Sequence, residues 1–169
     1  MPIQIFTDGS SLGNPGPGGF CAIIKKGTKT YIVKGGENHT TNNRMEMSAV
    51  IAGLYYIHKK IARELHIEVF SDSSLIIETM RKGWKRKKNL DLWAKLDFIA
   101  TKFDEIKWHW IKGHAGHKEN TKADRIAVLE ATKRLSTKNF ISDSRLSEPE
   151  PLLTEILRAD QPPSRLSRK

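Results

Sequence analysis

The sequence has few of the residues that stabilise secreted proteins or anchor membrane proteins. It contains one cysteine, Cys21, which excludes an internal disulfide, and no cysteines or histidines occur at the spacing of a structural zinc site. No apolar run approaches the ~18 residues that a membrane span requires. The N-terminus has neither a basic leader nor a long apolar stretch. These absences predict a soluble, cytoplasmic protein with neither a membrane span nor a signal peptide.

Acidic residues are outnumbered by basic ones. The chain of 169 residues has 29 lysines and arginines against 19 aspartates and glutamates, a formal net charge of +10. This surplus predicts a polyanionic partner, either nucleic acid or an acidic membrane surface, and charge alone does not decide between them. The length is sufficient for one ordinary domain that buries its core without disulfides or structural metal.

The spacing of apolar residues predicts nine elements of secondary structure. Strands are predicted over residues 3–7, 18–25, 28–34, 65–69 and 105–111, and helices over residues 43–62, 73–80, 90–103 and 121–135. Three consecutive strands favour an antiparallel meander, whereas the later alternation with helices favours parallel pairing through crossovers. The expected architecture is therefore an α/β fold in which a mixed five-stranded sheet is flanked by helices.

The composition changes after residue 135, which predicts a domain over residues 1–135 and a disordered tail over residues 136–169. The tail is rich in serine, glutamate and arginine, and prolines interrupt any long helix. Within it, the apolar segment Leu152–Leu157 is expected either to be solvated or to contact an unidentified protein partner.

Two acidic residues follow predicted strands. Asp8 ends the first strand beside Gly9, which would let a large partner approach the backbone, and Asp72 ends the fourth strand. Each also has a structural interpretation. An Asp-Gly pair is common in turns, and Asp72 or Ser73 could cap the helix that follows.

Two further acidic residues lie beside apolar stripes on predicted helices. Steps of three, four or seven residues connect Glu46 to Val50 and Asp124 to Ala127, so neither acid lies on the polar face of its helix. For Glu46 a structural interpretation is equally open, because Asn43 followed by Glu46 matches a capping box.

All four acids could meet at one edge of the sheet. Like charges held within a few ångströms of one another destabilise a fold unless cations neutralise them. Oxygen ligands without histidine or thiolate favour Mg²⁺, or alternatively Mn²⁺. On a strongly basic chain, paired ions at such a site indicate phosphodiester chemistry, in which they stabilise the attacking and leaving oxygens.

Five motifs in the same order resemble bacterial type 1 ribonuclease H (RNase HI) over residues 1–135. They are Thr7–Ser10, Gly13–Gly19, Thr41–Glu46, Ser71–Ser73 and Lys112–His117. This resemblance implies an RNase H-like fold and a metal-dependent endonuclease that hydrolyses the RNA strand of an RNA/DNA hybrid. It also implies two Mg²⁺ ions per active site and products with 5′-phosphate and 3′-hydroxyl ends.

The resemblance implies a role for each candidate catalytic residue. Asp8 would bridge both metal ions, Asp124 would complete the site of the attacking water, and Glu46 with Asp72 would hold the ion near the leaving oxygen. His114, in a loop rich in glycine and histidine, would assist proton transfer or product departure, which suits a mobile histidine with a near-neutral pKa.

The resemblance also implies contacts with the hybrid. Asn14, Asn42 and Asn43 match positions that contact sugars and phosphates, although turns and caps are the alternative. The stretch between Asp72 and Trp93 is shorter than in the best-known bacterial members, which carry a basic protrusion there. A reduced protrusion over residues 81–88 is expected to contact the DNA strand, or else to be a solvated loop. Its substrate-binding candidates are Lys82, Trp84, Lys85, Arg86, Lys87 and Lys88.

Two other functions are compatible with some of these motifs. A non-catalytic hybrid-binding module would share the basic surface and the asparagines but lack one or more metal ligands, whereas all four acids are present here. A transposase-like or integrase-like relative would differ at the third acid. We therefore expect an RNase H enzyme, active as a monomer.

Overall fold

The computed structural model describes residues 1–61, 66–113 and 116–141. The nine predicted elements occur in the predicted order. The strands are β1 Ile3–Ser11, β2 Gly16–Lys26, β3 Lys29–Thr40, β4 His66–Ser71 and β5 Glu105–Trp110. The helices are α1 Asn42–Tyr56, extended by a π-helical turn at Ile57–Ile61, α2 Ser74–Lys82, α3 Leu90–Ala100 and α4 Lys118–Ile141.

The five strands form one mixed sheet in the order β3-β2-β1-β4-β5. The meander β1-β2-β3 is antiparallel, and β4 and β5 pair in parallel with β1 and β4, respectively. The expected sheet and its flanking helices are therefore confirmed. The register between β1 and β4 runs from Ile3 opposite Ile67 to Thr7 opposite Ser71. β1 then continues to Ser11, beyond the end of β4, so its last residues pair with β2 but not with β4. We call this place the open end of the sheet.

Alternation along the strands produces two apolar layers. On one face, Ile5 of β1 and Val69 of β4 pack with buried side chains of α1 and α3, including Leu54 and Leu96. On the opposite face a smaller cluster around Phe6 packs against the alanines of α4. The helices thus cover the sheet on both faces.

Glycines allow both large helices to lie directly on the sheet. A Cβ atom at Gly9 of β1 would overlap the backbone of α1 at Met45 and Glu46. A Cβ atom at Gly19 of β2 would overlap the backbone of α4 at Ala127. Because only hydrogen occupies these positions, helix and strand backbones are in contact next to the predicted acidic residues.

The buried carboxylate of Glu130 forms an ion pair between α4 and the edge strand β3. Glu130 is almost fully buried and pairs with Lys34 of β3 at 3.1 Å, with Lys133 at 2.9 Å and with Arg134 at 3.4 Å. Burial alone would raise the pKa of Glu130, but hydrogen bonds from Lys133 and Lys34 hold it below its usual value. The pair between Glu130 and Lys34 links α4 to β3, whereas the pairs with Lys133 and Arg134 lie within α4.

Several boundaries differ from those predicted. β3 continues through Gly35 and Gly36, which lack the side chains that would have extended the alternating pattern. The last helix begins three residues earlier than predicted and ends at Ile141, so residues 136–141 continue α4 instead of belonging to a tail. Residues 142–169 lie outside the described residues. In the described part of the chain, no helix is long and apolar enough to cross a membrane.

Candidate active site

The sheet register brings Asp8 and Asp72 together. Since Thr7 pairs with Ser71, Asp8 is the first residue of β1 beyond its pairing with β4, and Asp72 is the first residue after β4. Both carboxylates therefore lie where the sheet opens. Asp8 is within a strand and Ser73 caps α2, so neither the turn at Asp8 nor the cap by Asp72 is the explanation.

Glu46 reaches the same place from the first turns of α1. The cap of this helix is Thr41, whose hydroxyl accepts a hydrogen bond from the backbone N–H of Arg44, so the capping box between Asn43 and Glu46 is not formed. Instead, the Glu46 carboxylate accepts hydrogen bonds from Asn42 Nδ2 at 3.1 Å and from the Ser73 hydroxyl. These donors hold the carboxylate over the open end of the sheet.

Three carboxylates form a compact cluster, and a fourth lies beside it. One oxygen from each of Asp8, Glu46 and Asp72 lies within 4.8 Å of the other two. Asp124, half-buried on α4, is close enough for its charge to raise the pKa of Asp8. Three of the four acids predicted from sequence therefore meet at one edge of the sheet, and Asp124 lies near them on α4.

Burial and mutual repulsion make this cluster costly to ionise. Burial is the largest cause that raises the pKa of Asp8, to about 8, and the charges of Asp72, Asp124 and Glu46 add to it. A hydrogen bond from the Gly9 N–H acts in the opposite direction. Burial is also the main reason that the pKa of Glu46 rises to about 7, against the hydrogen bonds from Ser73 and Asn42.

The chemistry of this donor set fits a hard divalent cation. Among the residues that the structure describes, the side chains gathered in the cluster offer carboxylate oxygens, which Mg²⁺ and Mn²⁺ prefer. A cation would also remove the repulsion that raises the pKa values of Asp8 and Glu46. The arrangement is therefore suited to metal-assisted hydrolysis.

Comparison with known proteins places the chain in a family. The model of the RNase H family matches residues 2–132. The chain belongs to the RNase H family. It is 46% identical over 145 residues to ribonuclease H of Rhodopseudomonas palustris strain BisB5, covering 78% of this chain and 93% of that protein. It is 43% identical over 143 residues to ribonuclease HI of Helicobacter pylori strain J99, covering 80% of this chain and 96% of that protein.

Solved RNase H structures share the architecture. The N-terminal RNase H domain of Rv2228c from Mycobacterium tuberculosis, solved as a fusion with maltose-binding protein, superposes with a TM-score of 0.73 at 30% identity. That similarity covers 81% of this chain and 98% of the other. LC11-RNase H1 in complex with an RNA/DNA hybrid superposes with a TM-score of 0.68 at 27% identity over 79% of this chain and 99% of the other. The predicted RNase H-like fold and the ribonuclease H enzyme class are thus confirmed.

Asp72 has two neighbours that could not be predicted from the sequence. The exposed indole of Trp110 donates from Nε1 to the backbone oxygen of Asp72 at 3.1 Å. A Cβ atom at Gly113 would lie 2.8 Å from Asp72 Oδ2, so the loop after β5 passes directly over this carboxylate. Trp110 and Gly113 are separated from Asp72 by about forty residues, and no local pattern links them to it.

The predicted hybrid-binding asparagines surround the start of α1. Asn42 donates its side-chain amide to Glu46, and its backbone N–H donates to Asn14 Oδ1 at 3.2 Å. Asn14 and Asn43 are exposed. Asn42 therefore has a role within this RNase H fold as a donor to Glu46, in addition to the contact with the hybrid predicted for it.

Two of the basic candidates in residues 81–88 form ion pairs within the protein, although Lys82 is itself exposed. Arg86 stacks over the ring of Trp93 at 4.6 Å, forms a two-pronged ion pair with Asp97 of α3, and lies near the sulfur of Met80. Lys82 pairs with Glu78 at 2.6 Å.

The other candidates in this segment project from the protein. The side chains of Trp84, Lys85, Lys87 and Lys88 are exposed on the loop between α2 and α3. Arg86 thus anchors this loop to α3, and the exposed lysines and Trp84 form its outer surface. His114, the remaining catalytic candidate, lies outside the described residues.

Proposed function

We propose that this RNase H cleaves the RNA strand of RNA/DNA hybrids by a two-metal mechanism, leaving 5′-phosphate and 3′-hydroxyl ends. The observation that carries the proposal is the cluster of Asp8, Glu46 and Asp72, with Asp124 beside it, at the open end of the sheet. Its family relatives named ribonuclease H, and a related structure bound to a hybrid, support the same substrate.

The carboxylates would hold the metal ions and orient the reacting groups. Asp8 would contribute to holding both ions, Asp124 would lie on the side of the attacking water, and Glu46 with Asp72 would lie on the side of the leaving oxygen. Two Mg²⁺ ions, or Mn²⁺ in their place, would supply the charge that stabilises the attacking and leaving oxygens. Asn42 and Ser73 keep the Glu46 carboxylate directed into the site through their hydrogen bonds.

His114 would transfer a proton or assist product departure, and it would not bind metal. A histidine with a near-neutral pKa can deliver a proton to the leaving 3′-oxygen or assist departure of the 5′-phosphate product. In His114→Ala we expect kcat to fall while KM for the hybrid and the Mg²⁺ dependence stay close to those of the wild type. A large rise in KM alone would contradict this role.

Recognition of the hybrid would use both neutral and basic side chains. Asn14, Asn42 and Asn43 lie near the carboxylate cluster, and short amides suit the 2′-hydroxyl groups that distinguish RNA from DNA. The loop that carries Trp84, Lys85, Lys87 and Lys88 would contact phosphates of the DNA strand. Lys82 and Arg86 remain candidates, although both are engaged in ion pairs within the protein.

The decisive experiment compares four substrates under identical conditions. Cleavage of RNA in a hybrid, of single-stranded RNA, of duplex RNA and of DNA is measured with Mg²⁺ and again with Mn²⁺, using end-labelled strands to identify the product ends. We expect rapid cleavage of the hybrid alone. Asp8→Asn should abolish it, whereas Asp104→Asn, which changes an exposed acid, should retain it. Equal cleavage by wild type and Asp8→Asn would refute the assignment.

The same experiment separates this function from that of a hybrid-binding module. A module would bind the hybrid with normal affinity but cleave none of the four substrates with either metal. The presence of all four carboxylates favours the enzyme. We further propose that the enzyme acts as a monomer in the cytoplasm. Sedimentation at working concentrations tests the first of these two proposals.

A further inference from the structure

An apolar stripe lies exposed on the outer surface of α4. Val128, Leu129 and Leu135 are exposed, Leu129 to 59%, although the opposite side of the same helix is buried against the sheet. Val128 and Leu135 are two helical turns apart, and Val128 lies one turn beyond Asp124. Single exposed leucines are ordinary on protein surfaces, but a stripe of three beside an active site favours a covering partner.

The charges around this stripe are basic. Lys118, Lys122 and Arg125 are exposed on the same helix. Of the acids on α4, Glu119 pairs with Lys25 at 2.7 Å, Glu130 lies in its buried network, and Asp124 borders the stripe, so basic charges outnumber acidic ones on this face. A partner for this face should therefore combine apolar and acidic residues.

The chain itself contains a segment with this composition. Residues 142–160 have five acids and two arginines, a net charge of 2 − 5 = −3 in a protein whose total is +10. The acids are Asp143, Glu148, Glu150, Glu155 and Asp160, and the apolar residues are Leu146, Leu152, Leu153, Ile156 and Leu157. In charge and in apolar content this segment is complementary to the outer face of α4.

The connection is long enough for the segment to reach the stripe. From Ile141 back to Val128 is 13 residues of helix, or about 20 Å at 1.5 Å per residue. The four residues 142–145 can span about 13 Å when extended, enough to bring Leu146 to Leu135, which lies about 9 Å of helix before Ile141. The ten residues 142–151 can span about 33 Å, enough to bring Leu152 and Leu153 to Val128 and Leu129. Such a short connection also gives an effective concentration on the order of millimolar, so that modest contacts suffice.

We propose that residues 146–157 bind to the outer face of α4 within the same chain, with their leucines and isoleucine on Val128, Leu129 and Leu135. The acidic residues of the segment then face Lys122 and Arg125. The bound segment lies beside Asp124, next to the open end of the sheet. This surface and its occupant are independent of the function proposed above.

A crosslinking experiment on the full chain tests the proposal. Cysteines are introduced at Leu129 and Leu153, and a short bismaleimide is added at low micromolar protein concentration. The native Cys21 is fully buried, and both single-cysteine variants serve as controls for its reaction. The matched comparison pairs Leu153→Cys with Ile32→Cys. Ile32 is 43% exposed on β3 and lies on the same face of that strand as Lys34, which contacts α4.

We expect a crosslink within one chain that forms at least tenfold faster for the Leu129 pair than for the Ile32 pair. Adding Ile156→Asp to the Leu129 pair should slow the reaction to the rate of the Ile32 pair. Equal rates for both pairs would overturn the proposal, since they indicate a tail without a preferred site. A crosslink formed only between chains would also overturn it and identify a second copy as the occupant.

Discussion

The repulsion among the active-site carboxylates should be measurable as a pH-dependent loss of stability in the metal-free enzyme. Asp8 titrates with a pKa raised from 3.8 to about 8 in the folded protein. Between these values the folded state holds a proton that the unfolded state has released. The contribution of Asp8 to the free energy of unfolding is therefore most favourable below pH 4 and is lost as the pH rises through 8.

The magnitude follows from the size of this change in pKa. Converted at ~1.36 kcal/mol per tenfold change in the equilibrium, the change at Asp8 has a ceiling of about 6 kcal/mol. Of this, at most about 4 kcal/mol falls between pH 5 and pH 9. Effective dielectric constants in proteins reduce such values, so we expect about 1 to 3 kcal/mol to be lost over that range. Glu46, whose pKa rises to about 7, contributes in the same direction and within the same range of pH.

Urea unfolding followed by circular dichroism in EDTA measures this loss at several pH values. Asp8→Asn removes the charge with little change of shape, so it should raise the free energy of unfolding at pH 8 and flatten the pH profile. Asp104→Asn, an exposed change, controls for general charge effects. Millimolar Mg²⁺ should stabilise the wild type more at pH 8 than at pH 5, and Asp8→Asn less than the wild type.

A pH-independent stability in the absence of metal would contradict repulsion among the carboxylates. If the metal-free wild type is equally stable at pH 5 and pH 8, and Asp8→Asn is no more stable than Asp104→Asn at pH 8, the carboxylates do not repel one another as their geometry indicates. Histidines also titrate in this range, so the difference between the two variants at each pH is the deciding quantity.

Three further substitutions test individual contacts. Gly113→Ala places a methyl group against the Asp72 carboxylate and should weaken Mg²⁺ binding about tenfold in an activity titration; an unchanged midpoint would contradict the contact. Glu130→Gln removes the charge that holds three basic side chains and should lower the free energy of unfolding by about 1 to 3 kcal/mol in urea. Arg86→Gln should lower stability by about 1 kcal/mol, measured as a reduced Tm, because it loses the stacking on Trp93; a change in hybrid binding alone would show that this anchor is unimportant.

The order of the elements and the convergence of the acids could be predicted because each has a local signal. Alternating apolar residues marked the strands, and Glu46 and Asp124 stood beside apolar stripes where exposed acids are uncommon. The boundary of β3 could not be predicted, because Gly35 and Gly36 carry no side chain from which alternation can be recognised. Thr41 and Asn43 are both good cap residues, and only the backbone geometry shows that Thr41 is the cap.

The features that local patterns missed are contacts between distant residues. The positive charge of Arg86 suggested nucleic-acid binding, yet its partners Trp93 and Asp97 lie on the next helix and hold the loop in place. Gly113 was part of a recognisable motif, but its closeness to Asp72 depends on the pairing of β4 with β5. The roles of Arg86 and Gly113 therefore depend on contacts in the folded protein that their residue types alone do not predict.

The contact of helix backbones with the sheet at Gly9 and Gly19 has a consequence for how this enzyme can evolve. The separation between β1 and the start of α1 is set by main-chain atoms and not by the volume of intervening side chains. A side chain at Gly9, even a methyl group, would therefore push the strand that carries Asp8 away from the helix that carries Glu46. Retention of glycine at this position is thus a condition for the spacing of the two catalytic carboxylates, whatever substitutions occur elsewhere in the sequence.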